Sequence, residues 1–140
     1  MPAACLDASL VLTWLLPAQR SSGANTAYEE LRDQRYALFA PPLLYVEVPS
    51  VLRAEVYFQH LSLEEGKAAF SSFCGLAVES LNHDELHLRA WSLARDLNLT
   101  KVYDAQYLAA ADLLDCELWT MDKRLINAVG GRFQRLRPIQ

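Results

Sequence analysis

Cysteine is scarce in this chain: Cys5, Cys74 and Cys116 are the only three. An odd number cannot all pair within one molecule, none stands in a Cys-x-x-Cys spacing, and no cysteine–histidine cluster has the spacing of a zinc site. A disulfide scaffold and a zinc module are therefore excluded, and buried free thiols in a reducing compartment are expected. Histidine is equally thin. His60, His83 and His87 fall in no triad pattern, and no glycine-rich phosphate loop is present. Ser9 or Ser50 could be imagined as a nucleophile, but nothing nearby supplies its base. No apolar run approaches the roughly 20 residues of a membrane span. The apolar beginning lacks a basic leader, since the first arginine is Arg20 and Asp7 interrupts the run. The expectation is a cytoplasmic protein with no membrane contact. No repeat, low-complexity stretch or linker divides the sequence, so residues 1–140 are expected to form a single domain.

What is present is an ordinary globular composition, 52% hydrophobic and 21% charged. Charge is unevenly spread. Residues 120–140 carry Lys123, Arg124, Arg132, Arg135 and Arg137 against Asp122 alone, a balance of +4, which leaves −8 for the rest of a chain whose net charge is −4. A basic tail beside an acidic pocket suits a phosphate backbone held near metal ions; a solvated surface is the plainer reading.

Short apolar runs alternate with amphipathic segments. Strands are expected at residues 3–6, 36–40, 77–81, 117–120 and 133–136. Helices are expected near 9–16, 22–33, 43–60, 62–74, 86–97, 104–114 and 123–128. Pro49 predicts a kink or a late start in the third helix. Ser62 with Glu65, and Asn82 with Glu85, have capping-box spacing. Strands separated by helices imply an α/β fold of three layers, with a mainly parallel central sheet flanked by helices. Sites in such folds form beyond the carboxyl ends of the strands.

Four acids stand at the edges of apolar elements. Asp7 ends Ala3-Ala4-Cys5-Leu6, Glu47 is the only charge between Arg35 and Arg53, Asp104 follows Val102-Tyr103, and Asp122 follows Leu118-Trp119-Thr120-Met121. Acids brought together repel unless a proton or a cation compensates them, and hard divalent cations take oxygen ligands. Each acid also has a plainer role. Asp7, Asp104 and Asp122 precede helices and could be caps, and Glu47 could pair with Arg53. An aspartyl-phosphate phosphatase is disfavoured, because Asp7-Ala8-Ser9 lacks a second Asp two residues on.

These segments resemble the PIN domain family, most closely its VapC-like ribonuclease toxins. The resemblance rests on Asp7-Ala8-Ser9, on Pro41-Pro42-Leu43-Leu44-Tyr45-Val46-Glu47-Val48, on Val102-Tyr103-Asp104-Ala105 and on Thr120-Met121-Asp122-Lys123-Arg124-Leu125. It implies an endoribonuclease dependent on Mg²⁺ or Mn²⁺. Asp7 and Asp104 would be the principal metal ligands, and Glu47 and Asp122 would complete the shell or orient water. Ser9, Thr120, Lys123 and Arg124 would lie against the RNA substrate, with the C-terminal arginines steering it. A homodimer and an inhibitory antitoxin partner are implied as well, for which Val56, Tyr57, Phe58 and Phe70 are candidate surface residues. The alternative is a PIN-fold RNA-binding or scaffold protein with weak or no nuclease activity. One departure stands out: Ser50, after Pro49, occupies the place where the family often has Asn.

Overall fold

A computed structural model describes residues 1–140. Five strands, β1 (Ala3–Leu6), β2 (Ala37–Ala40), β3 (Val78–Ser80), β4 (Glu117–Thr120) and β5 (Leu136–Pro138), form one sheet in the order β3-β2-β1-β4-β5. All four pairings are parallel. Seven helices connect them: α1 (Ala8–Leu15), α2 (Ser22–Asp33), α3 (Leu44–Tyr57), α4 (Leu63–Cys74), α5 (Leu86–Asp96), α6 (Tyr103–Leu114) and α7 (Lys123–Val129). The chain leaves β1 toward β2 and β3, then returns across the sheet to β4 and β5. Right-handed crossovers in opposite directions put helices on opposite faces. Accordingly, α1 packs with α2, α3 and α4, whereas α6 packs with α5 and lies across β1, β2 and β4.

Burial explains why β1 reads as an unbroken apolar run: Ala4, Cys5 and Leu6 are fully buried on a central strand covered on both faces. The small residues Ala105, Ala109, Ala110 and Ala111 of α6 are buried too, which lets that helix approach the sheet closely. Leu10, Leu44, Leu108, Leu118 and Trp119 fill the space between the layers.

Several expectations need correction. Helix α3 runs unbroken through Pro49 and starts directly after Pro41-Pro42. Backbone carbonyls of Pro41, Pro42 and Leu43 take the first helical N–H groups, so the prolines build the first turn instead of delaying it. Pro49 removes only one intrahelical bond, and the buried Val48 and Leu52 hold its segment against the core. The last strand lies at Leu136–Pro138, displaced from residues 133–136. Its register sets Arg137 opposite Trp119, where the guanidinium stacks 3.9 Å above the indole. The start of α5 uses no capping box; the imidazole Nδ1 of His83 accepts the Glu85 N–H at 3.1 Å. Of the thiols, only Cys5 is buried, Cys116 being partly exposed and Cys74 exposed. No helix is long and apolar enough to cross a membrane.

Candidate active site

The strand order reverses between β1 and β4, and the crevice outside their carboxyl ends is where such sheets bind ligands. Asp7 follows β1 and Asp122 follows β4, so the sheet itself delivers two acids to this edge. Both are helix caps. Asp7 Oδ1 accepts the Leu10 N–H at 3.2 Å, and Asp122 Oδ1 accepts those of Arg124 and Leu125 at 3.0 and 3.2 Å. Capping fixes each carboxyl at the rim of the sheet, so it compounds a role in the site.

Asp7 is 4% exposed and sits in a small network of hydroxyls. Ser9 donates to Oδ1 at 2.6 Å, and Thr120 donates to Oδ2. Ser9 Oγ in turn accepts the Met121 N–H at 2.9 Å, and Thr120 Oγ1 accepts the Asp122 N–H at 3.0 Å. The β1–α1 and β4–α7 junctions are thus laced together through two hydroxyls. Burial pushes the Asp7 carboxyl up to about 6, against the lowering effect of these hydrogen bonds and with a further raise from the charge of Asp122. Thr120 is fully buried. Its expected contact with substrate is therefore corrected: its hydroxyl serves Asp7 and the Asp122 backbone instead. Ser9 has the same two kinds of partner and is partly exposed.

Glu47 lies in the first turn of α3. The expected alternative partner, Arg53, does not reach it and stacks on Tyr57, 5.7 Å from the ring centroid. Glu47 instead receives the Tyr107 hydroxyl at 2.8 Å. Burial raises its pKa, and the charges of Asp104 and Asp122 raise it further. Sequence reasoning missed Tyr107. Its signal was present: a phenol on an alanine-rich helix, three residues after Asp104 and so on the same face, needs a hydrogen-bond acceptor once buried. Tyr107 is 3% exposed.

Asp104 is not a cap. It stands inside the first turn of α6, where the helix dipole favours an anion. No hydrogen bond stabilises its carboxylate; burial and the charge of Asp122 raise its pKa, and Arg124 lowers it. Asp122 is therefore felt by the other three acids. Lys123 and Arg124 are exposed beside it, with Arg124 Nε 4.0 Å from Asp122 Oδ1. No three acids form a preassembled ligand cluster. The donor set is nonetheless all carboxylate oxygen, which suits Mg²⁺ or Mn²⁺. Mg²⁺ keeps several waters and uses one or two carboxylates with substrate phosphates, so it requires no tight protein cage.

The C-terminal arginines behave differently from expectation. Arg132 donates to the carbonyls of Leu97, Ala128 and Val129. Arg135 pairs with Asp112 and Asp115, and Arg137 with Glu30 and Glu117. They fasten the last strand and its approach to the body of the protein, and Arg124 is the cation that acts on Asp104 and Asp122, with Lys123 exposed next to it.

The PIN domain family model matches residues 4–131. Ribonuclease VapC9 of Mycobacterium tuberculosis is 34% identical over 88 residues, 63% of this chain and 67% of the relative. Ribonuclease VapC1 of the same organism is 35% identical over 92 residues, 65% of this chain and 67% of the relative. Among solved structures, VapBC2 from Rickettsia felis, crystallised with a DNA fragment from its promoter, superposes with a TM-score of 0.72 over 99% of both chains at 10% identity. With the sheet order, the acids at its switch point and a family match over nearly the full length in agreement, the chain belongs to the PIN domain family.

Proposed function

We propose that this protein is an endoribonuclease that uses Mg²⁺ or Mn²⁺, and that it is the toxin of a toxin–antitoxin pair. The observation that carries this reading is that Asp7 and Asp122 leave β1 and β4 at the carboxyl edge of the sheet, where the charge of Asp122 also acts on Glu47 and Asp104. The mycobacterial relatives named as ribonucleases support the choice of RNA.

Asp7, Asp104, Glu47 and Asp122 would hold the ion. When bound, it supplies positive charge to the scissile phosphate and acidifies the attacking water. Asp104, which no donor engages, offers its oxygens most freely. Asp7 is held by Ser9 and Thr120 in one orientation, and Glu47 by Tyr107. Lys123 and Arg124 would draw in the RNA backbone without reading its bases. Ser9, at the partly exposed end of the network, would lie nearest the substrate.

An antitoxin and a second copy of the chain would need apolar surface. Tyr57, Phe58, Leu63 and Phe70 are between 47% and 67% exposed, and a groove between α3 and α4 is lined by Leu52, Val56, Leu63 and Phe70. Exposed apolar groups grouped in this way are a feature of partner surfaces. The test of the function is cleavage of single-stranded RNA by the purified chain with Mg²⁺, with Mn²⁺ and with chelator. Metal-dependent cutting is expected; RNA binding without cutting under all three conditions overturns the nuclease reading.

A further inference from the structure

Two thiols meet on the β1–β4 pair that also carries the site. Cys5 lies on β1 opposite Leu118 of β4, and Cys116 precedes Leu118 by two residues. With a side-chain period of two, both cysteines point to the same face of the sheet, one rung apart. Their Sγ atoms are 3.7 Å apart. Cys5 is fully buried, whereas Cys116, at the turn where α6 passes into β4, is partly exposed. Asp115 precedes it in the left-handed conformation with φ 53°, and the Cys116 N–H bonds back to the Ala111 carbonyl at 3.0 Å. The guanidinium of Arg135 reaches Asp115 at 2.5 Å, which brings a cation to this turn. Neither the acidic site nor the RNA reading uses these residues.

We propose that Cys5 and Cys116 form an oxidant-responsive dithiol, which hydrogen peroxide converts to a disulfide joining β1 to the start of β4. The exposed partner reacts first. Cys116 is the member an oxidant can reach, whereas Cys5 is fully buried behind it. The Cys116 sulfur attacks one peroxide oxygen; the S–O bond forms, the O–O bond breaks, and hydroxide leaves, taking a proton to become water. The Cys5 sulfur then attacks the sulfenic sulfur. The S–S bond forms, the S–O bond breaks, and the departing hydroxide takes the Cys5 proton as a second water. Two electrons pass from the thiols to the peroxide, and the protein loses two hydrogens. A reactive, accessible thiol with a buried resolving thiol in contact is the arrangement that stops oxidation at a reversible stage. Cys74, exposed and far along the sequence from either, has no such neighbour.

The experiment uses the full chain carrying Cys74→Ser, treated with hydrogen peroxide and then, after quenching and in denaturant, with N-ethylmaleimide, and read by mass spectrometry and peptide mapping. The expected result is a mass loss of about 2 Da, a cross-linked Cys5–Cys116 peptide pair, and loss of both maleimide sites, all restored by dithiothreitol. With Cys5→Ala added, Cys116 should accumulate as a sulfenic acid trapped by dimedone. With Cys116→Ser added in its place, Cys5 should stay reduced. The second variant alters only the partly exposed member and keeps the test open if the first fails to fold. Peroxide that carries Cys116 to sulfinic acid while Cys5 remains free overturns the proposal. So does a protein that keeps both thiols under conditions that oxidise Cys74 in the parent.

Discussion

Tyr107 Oη donates to Glu47 Oε1 at 2.8 Å, bridging α6 and α3 across 60 residues of sequence. The bond is the only one that lowers the Glu47 pKa, against burial and two neighbouring acids. Tyr107→Phe should therefore raise the Glu47 pKa further, as measured by carbon NMR titration of its carboxyl in chelator. Stability should fall by about 1 kcal/mol, a discounted value for a charged but half-exposed acceptor. Metal-dependent cleavage should fall by roughly 10- to 100-fold, the usual consequence of losing a residue that orients a ligand. A Tyr107→Phe protein with an unchanged Glu47 titration would mean that the hydroxyl does not hold the carboxylate in solution.

Asp104→Asn separates function from fold. Its carboxylate has no hydrogen bond to lose, and removing its charge relieves repulsion with Asp122 and Glu47. In chelator the variant should melt at or above the temperature of the parent. Cleavage with Mg²⁺ or Mn²⁺ should drop by more than about 100-fold, beyond the range typical of residues outside the ligand shell. Parent-like cleavage by this variant would remove Asp104 from the ligand set.

Asp7 gives the metal-free protein a pH dependence whose sign differs from that of a salt-bridged acid. Its folded pKa, about 6, lies above the unfolded model value of 3.8, so between these values the folded state binds more protons than the unfolded one. Stability is then fully present below pH 3.8 and declines as pH rises through 6, by about 3 kcal/mol as an upper bound for this group alone. Denaturant titrations of the parent in chelator should show this decline. Asp7→Asn keeps a capping side chain and should flatten the curve over that window. Added Mg²⁺ should restore stability to the parent above pH 6 and leave the variant unchanged. Identical pH curves for parent and variant would place the titrating group elsewhere.

Much of this was legible in the sequence. The order of strands and helices follows from apolar runs and caps, and three of the acids lie next to elements whose ends were clear. What the sequence left open was the choice between cap and ligand, and the structure shows the caps: Asp7 and Asp122 each hold the first N–H groups of the helix that follows. Asp7 and Asp122 cap their helices and face the other acids for the same reason, since a helix start at a parallel strand's carboxyl end points into the site. Less was legible where a side chain finds its partner across the fold. Tyr107 meeting Glu47, Thr120 turning inward to Asp7, and Arg137 stacking on Trp119 depend on the β1–β4 and β4–β5 registers and on how α6 crosses the sheet. Pro49 does not delay the helix, because the carbonyls of Pro41, Pro42 and Leu43 already build its first turn.

The apolar face of α3 and α4 gives a separate prediction. Tyr57 and Phe58 are 67% and 64% exposed and pack edge to face with centroids 5.0 Å apart. Changing either to Glu disturbs no buried contact, so the fold should melt within about 0.5 kcal/mol of the parent, as surface substitutions usually do. Association should weaken, either self-association followed by sedimentation or binding of a co-expressed antitoxin. A parent chain that sediments as a monomer at tens of micromolar would argue against a stable homodimer.

The cations divide into two groups with opposite predicted behaviour. Arg137 pairs with Glu30 at 2.7 Å and covers Trp119, and Arg132 closes on three backbone carbonyls. Replacing either by Gln should cost about 1 to 2 kcal/mol of stability through lost charge-assisted bonds and stacking. The salt dependence of RNA binding should stay as it was. Lys123 and Arg124 are exposed beside Asp122 and outside any such network, apart from the long Arg124 contact. Replacing both by Gln should leave stability nearly unchanged, weaken RNA binding, and reduce the slope of log affinity against log salt by roughly 1 to 2. The positions cut on a given RNA should not move, because contacts to phosphate place the strand without reading bases. If the slope changes with Arg132 and Arg137 but not with Lys123 and Arg124, RNA approaches over the β5 edge, away from the face of α7 where the acids lie.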